Sequence, residues 1–202
     1  MLVKTFGSAV FGVDAITITI EVNVTGGAKF FMVGLPDNAV KESQHRIESA
    51  LKHNDFKVTR KKVVINMAPA DIRKEGSAFD LPLAIGMLGA TEQINTDKLA
   101  DFVIMGELSL DGSLRPIKGA LPIAIQARKE GFKGIIIPKE NAREAIPRMI
   151  KLLTGIVAEI KTPNEPLKPT KNPIECKIRE LPSNIKSALQ QCRQFRETKV
   201  NL

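Results

Sequence analysis

Ser77 closes a polar loop of about ten residues, Ala68 to Ser77, that also carries Asp71, Arg73, Lys74 and Glu75 and leads into an apolar segment starting at Asp80. Loops that precede buried elements are common seats for catalytic and binding groups. A serine there becomes a nucleophile when an amine takes its proton, and a lysine can do so if an apolar pocket lowers its pKa. Lys74 and Lys118 are the amines that such a Ser–Lys pair would draw on. The plainer expectation is that Ser77 is a loop or capping serine and Lys118 a solvated lysine. A second chemistry is phosphate binding. Arg60-Lys61-Lys62 leads into a predicted strand and Arg73-Lys74 lies in the loop after it, so five cations could line one rim. Against this stand an aromatic content of only 4% and the absence of Trp and Tyr, which limits base stacking. Metal chemistry has little support. His45 and His53 lie eight apart in one predicted helix and so point about 80° apart, unlike an i, i+4 ligand pair. Cys176 and Cys192 lie sixteen apart with no C-x-x-C, so neither zinc nor another cofactor is expected in this chain.

The elements that would position these groups are legible from periodicity. Ile16, Ile18, Ile20, Val22 and Val24 alternate with Thr17, Thr19, Glu21 and Asn23, the pattern of a half-buried strand. Leu2 to Phe11 reads as another strand. After Thr25-Gly26-Gly27, Lys29 to Val33 is expected to return as the second arm of a hairpin. Asp37 can cap an amphipathic helix carrying Val40, Ile47, Ala50 and Leu51 on its apolar face. Lys62 to Met67 is a β-branched strand. Asp80 to Ala90 is apolar all round, with Asp80 as expected N-cap and Pro82 in the first turn, so this helix must be buried. Phe102–Leu110 and Ser113–Ile117 are extended segments joined at Asp111-Gly112, a strong hairpin signal. Ala120 to Glu130 is helical, Gly131 ends it, Gly134 to Ile137 is a buried strand, and Pro138 to Ala145 starts a last helix. The whole is a mixed-sheet α/β sandwich, with helices expected on one side of the sheet.

Composition divides the chain. Of its 202 residues, the first 145 hold 19 Lys+Arg and 17 Asp+Glu, while residues 146–202 hold 11 and 5 and six of the 12 prolines. A folded domain over 1–160 and a basic, Pro-rich extension over 161–202 are expected, with a last strand at Ile156–Ile160 and a short helix over 183–196. No apolar run approaches the roughly 20 residues of a membrane span, and Met1 to Gly7 does not open like a secretory signal. A cytoplasmic location without membrane contact is the expectation.

The runs Val33-Gly34-Leu35-Pro36-Asp37-Asn38-Ala39-Val40-Lys41-Glu42-Ser43, Ile65 to Pro82 (Ile-Asn-Met-Ala-Pro-Ala-Asp-Ile-Arg-Lys-Glu-Gly-Ser-Ala-Phe-Asp-Leu-Pro), Gly106 to Gly112 and Ile137-Pro138-Lys139-Glu140-Asn141-Ala142 resemble the N-terminal domain of the ComM/YifB family, the magnesium-chelatase-like AAA+ ATPases. The resemblance covers about residues 1 to 145. It implies a Lon-protease-like fold, equivalently that of the second domain of a ribosomal protein, set ahead of an ATPase module in bacterial proteins of DNA uptake and recombination. It further implies hexameric rings that drive branch migration, using ATP and magnesium held by that module. Lon-like domains of RadA-type recombination proteins share the fold.

Aligned with the K-D-G-P-S-A-G run of Lon-type proteases, Lys74-Glu75-Gly76 puts Ala78 at the serine position, with Ser77 one residue early. Aligned with the P-I-G-G-L-K run, Pro116-Ile117-Lys118-Gly119-Ala120-Leu121 puts Leu121 at the lysine position. Both positions are substituted, so a non-catalytic domain is expected, with a Ser–Lys peptidase built on a displaced Ser77–Lys118 pair as the alternative. No G-x-x-x-x-G-K-[ST] run occurs in the 202 residues, although phosphate cradling by a Walker A loop requires one. ATP hydrolysis by this chain alone is not expected; DNA, an AAA+ module and a homo-oligomeric ring are the expected partners.

Overall fold

The computed structural model describes residues 1–142 together with 144 and 145. The expected strand at Ile156–Ile160, the extension over 161–202 and its helix over 183–196 lie outside the described residues.

The core is a six-stranded mixed sheet of order β3-β4-β2-β1-β5-β8. β1 (Leu2–Phe11) and β2 (Asp14–Thr25) pair antiparallel in continuous register from Leu2 opposite Asn23 to Phe11 opposite Asp14. In β2 the alternation works as predicted over Ile18, Ile20, Val22 and Val24, all buried, whereas Ile16 at the start of the strand is 39% exposed. β4 (Lys62–Ala68) lies antiparallel to β2, and β3 (Phe30–Val33) lies parallel to β4. The expected β2–β3 hairpin is therefore corrected. β4 inserts between the two strands, and α1 (Asn38–Lys41) and α2 (Ser43–His53) form the crossover that a parallel pair needs. β5 (Phe102–Ile104) and β8 (Gly134–Ile136) continue the sheet in parallel beyond β1.

α3 (Asp80–Ala90) is buried at every one of its 11 residues. It sits so close to one sheet face that a Cβ at Gly86 would come within 2.6 Å of Val22 Cγ2. The Thr5 hydroxyl on the same face donates to the Pro82 carbonyl at 3.1 Å. α2 packs beside α3, burying Ile47, Ala50 and Leu51. α4 (Ala120–Lys129) lies on the opposite face, because Gly119 at its start touches Val10 and Phe6 stacks edge-on to Phe132 just after its end. Val10 and Phe6 alternate with the residues of β1 that meet α3. Helices thus cover both faces, correcting the one-sided expectation. Past Ile104 the extended segment bends at Met105-Gly106 into a separate hairpin of β6 (Glu107–Leu108) and β7 (Leu114–Arg115), turned by Asp111 and by Gly112 at φ 82°.

Candidate functional site

Three segments meet where α3 begins: the stretch after β3, the loop after β4, and β6. Lys74 forms a bridge with Pro36, its N–H donating to Leu35 O at 3.2 Å while its carbonyl accepts from Asp37 N–H at 2.9 Å. Asp37 then ties the segments together from its side chain, one oxygen accepting from Val40 N–H at 2.7 Å as the expected helix cap and the other from Gly76 N–H at 3.1 Å. Gly34 makes the approach possible. Its φ is 96°, and a Cβ there would fall 2.1 Å from Met67 O.

The Lys74 side chain is fully buried, and its Nζ donates to the carbonyl of Pro69 at the start of the same loop. Burial lowers its pKa from the ordinary lysine value, with Asp71 opposing the shift. Ser77 opens a 3-10 turn (Ser77–Phe79) ahead of α3, and its hydroxyl donates to the Glu107 carboxylate on β6. Glu107 also lies 3.9 Å from Arg115 across the small hairpin. Beneath them, Arg46 of α2 holds Asp80 through Nε at 2.7 Å and Nη2 at 2.9 Å, and Asp80 also accepts from Leu108 N–H at 3.2 Å. Burial raises the Asp80 carboxyl above its usual value in spite of Arg46, whose own pKa is raised chiefly by the bond to Asp80. Ala78 O accepts from Gly106 N–H at 2.8 Å, and Leu81 N–H donates to Gly106 O at 3.0 Å, fixing the start of α3 to the bend before β6.

These positions redistribute the residues singled out from sequence. Lys118 is exposed, in the segment that Asn141 clamps through both the N–H and the carbonyl of Ile117, at 2.9 and 2.7 Å. Among the described residues no hydrogen bond joins Ser77 to Lys118 or to Lys74; the hydroxyl meets a carboxylate, and the buried amine meets a carbonyl. Asp80 is the first helical residue rather than the N-cap, and its carboxylate is committed to Arg46. Nor do the five cations form one rim. Arg60, Lys61 and Lys62 lie at the start of β4, whereas Arg73 and Lys74 follow its end, about 20 Å along the strand at roughly 3.3 Å per residue. Arg73 is exposed and paired with Glu75 at 3.1 Å, and Lys74 is withdrawn from the surface by its backbone bridge to Pro36. Arg46, Asp80, Glu107 and Asp37 were not singled out as site residues. An ionisable residue at the head of a helix with no polar face was the available signal, since such a group must find a partner within the protein.

The described residues include three glycines, Gly7, Gly112 and Gly119, spaced as in partial phosphate loops. Gly7 lies in β1 against Phe79, Gly112 turns the β6–β7 hairpin, and Gly119 caps α4 ahead of Ala120 and Leu121, so none offers a phosphate loop with the lysine that follows it. No group of three or more His, Cys, Asp or Glu side chains among them could hold a metal. No helix among them is long and apolar enough to cross a membrane.

This fold, with a serine just ahead of the buried helix and a buried lysine in the preceding loop, defines a Lon-protease-like α/β domain in which hydroxyl and amine have separate partners. Residues 20–141 match the family described as subunit ChlI of Mg-chelatase. The chain is 45% identical over 141 residues to the competence protein ComM of Haemophilus influenzae, an alignment covering 69% of this chain and 28% of that protein. It is 44% identical over 137 residues to the uncharacterized protein YifB of Escherichia coli, covering 67% and 27%. Lon protease 2 of Bacillus subtilis is more distant, at 29% over 154 residues, covering 73% and 27%. The chain belongs to the Mg-chelatase ChlI family and is ComM- and YifB-like. It spans about a quarter of the length of these curated relatives.

Proposed function

We propose that this chain is a non-catalytic assembly and substrate-engaging domain of a ComM-like, DNA-processing AAA+ protein, acting with an ATPase module whose phosphate loop is not among its 202 residues. Its substrate is DNA undergoing recombination or branch migration, its assembly a ring of the hexameric kind, and its setting the bacterial cytoplasm. ATP and magnesium belong to the module, and this chain contributes docking surface. The observation that carries the reading is the separation of the two groups a Ser–Lys peptidase would couple: Ser77 Oγ on Glu107, and Lys74 Nζ on the Pro69 carbonyl. The 45% identity to a competence protein supports the DNA-processing half. The test is sedimentation velocity of the whole chain, alone and with DNA at low salt. Self-association or retention of DNA is expected. A monomer at every concentration that retains no DNA would contradict the proposal.

One observation favours a second reading, a Ser–Lys peptidase. Lys74 has a lowered pKa in a loop three residues before Ser77, and Lon protease 2 is a relative. In that reading Lys74, or Lys118 moved inward, would have to displace Glu107 from Ser77. Casein turnover that disappears in Ser77→Ala would establish it.

A further inference from the structure

The half of the sheet that α4 leaves open combines exposed apolar residues with unneutralised positive charge. Phe31 is 43% exposed and Val33 is 49% exposed, side by side on the edge strand β3. Register places Phe31 opposite Val64 of β4, and Lys62, one residue pair back on the same face, sits with Nζ 5.4 Å from the Phe31 ring centroid. Lys29 immediately precedes β3, level with Lys62, its carbonyl accepting from Val63 N–H at 2.8 Å. The segments 22–36 and 56–70, which β3 and β4 bring together, contain no Asp or Glu. Among the described residues none of Lys29, Arg60, Lys61 and Lys62 takes part in an ion pair. The remainder of residues 1–145 is net acidic, with 14 Lys+Arg against 17 Asp+Glu, so this corner is a local concentration of positive charge.

Resting on the DNA-processing reading above, we infer that this open face binds single-stranded nucleic acid. An unpaired base stacks on Phe31 with Lys62 at its edge, and successive phosphates meet Lys29, Arg60 and Lys61. Charge complementarity selects a polyanion. The ring selects an unstacked base, because a duplex offers phosphates but no free π-face. Val33 extends the apolar platform toward the next base.

The test is fluorescence anisotropy of the whole chain with a labelled oligo-dT and with a duplex of the same length, across a salt series. Phe31→Ala is expected to weaken oligo-dT binding about tenfold at constant salt slope and to leave the duplex unchanged; Phe31→Trp retains affinity. Arg60→Gln with Lys61→Gln is expected to reduce the slope of log K against log salt by about 1.4, roughly 0.7 for each lost phosphate contact. Because these side chains are exposed or half-buried, the melting temperature should be unchanged, which separates loss of binding from loss of fold. If the chain binds oligo-dT but Phe31→Ala binds equally well, or loses duplex by the same factor, this inference is overturned while the DNA-processing reading stands. A wild-type chain that binds no DNA at low salt overturns this inference, and one that is in addition monomeric at every concentration overturns both.

Discussion

Replacing Arg46 should destabilise the domain far more than replacing its partner. Asp80 has no exposed side-chain surface, whereas Arg46 keeps 22% of its own. Arg46→Met therefore strands a carboxylate in the core beside a single Leu108 N–H donor, and an uncompensated buried charge of this kind costs about 3–5 kcal/mol. Asp80→Asn leaves a guanidinium that can turn to water and an amide oxygen that can still accept from Leu108, for a loss of about 2 kcal/mol. The pH dependence has a definite sign. Burial already raises the Asp80 carboxyl above its unfolded value, so the folded state binds the proton more tightly than the unfolded state does. Its contribution to stability is complete below the unfolded carboxylate value and is lost as pH rises through the folded one. Removing Arg46 raises the folded value further and widens that window. The penalty of Arg46→Met should thus be larger at pH 7.5 than at pH 5, by up to about 1.4 kcal/mol for each unit by which removing Arg46 raises the folded value. Urea unfolding at the two pH values, with midpoints compared at constant slope, measures it. A penalty for Arg46→Met no larger than that for Asp80→Asn, or one independent of pH, would refute the reasoning.

Lys74 carries the opposite sign. Its pKa is lowered by burial, so wild-type stability should rise with pH from that lowered value up to the ordinary lysine value of about 10.4. Lys74→Met, which removes the charge and keeps the volume, should be neutral or stabilising at pH 7 and lose that rise; denaturant midpoints at pH 7 and pH 10 check both. Gly34→Ala should lower stability by about 3 kcal/mol, because its Cβ meets Met67 O in a backbone conformation that side chains disfavour. Gly12→Ala, with φ 61° and open space around it, should cost only about 1 kcal/mol in the same urea titration.

How much of this could be read from the chain depended on how local the physics was. The alternation in β2 and the Asp111-Gly112 turn were legible because side-chain period and turn conformation are properties of neighbouring residues. The Asp37 cap was legible for the same reason. The partner of β3 was not, since a Gly-Gly turn permits a hairpin but does not show that β4 will compete for the same edge of β2. Lys74 read as a surface cation because it sits in a polar loop. Its burial follows from a backbone bridge to Pro36 that joins segments almost forty residues apart. Asp80 read as a cap for want of a visible partner, and Arg46 read as one more charge on the wet face of an amphipathic helix. Each of these misses involves a contact made between distant segments, where one sequence carries no pairing information. The family resemblance set out from the runs at 33–43 and 65–82 did reach the fold and the relatives now found.

The most direct test of the central claim is intact-mass analysis of the whole chain after exposure to a fluorophosphonate, which labels a serine only when a base activates its hydroxyl. With Ser77 donating to Glu107, Lys74 bonded to the Pro69 carbonyl and Lys118 exposed, the chain should emerge without an adduct. A stoichiometric adduct mapped to Ser77 and absent from Ser77→Ala would mean that an activated nucleophile exists here, and that the domain cuts bonds as well as docking.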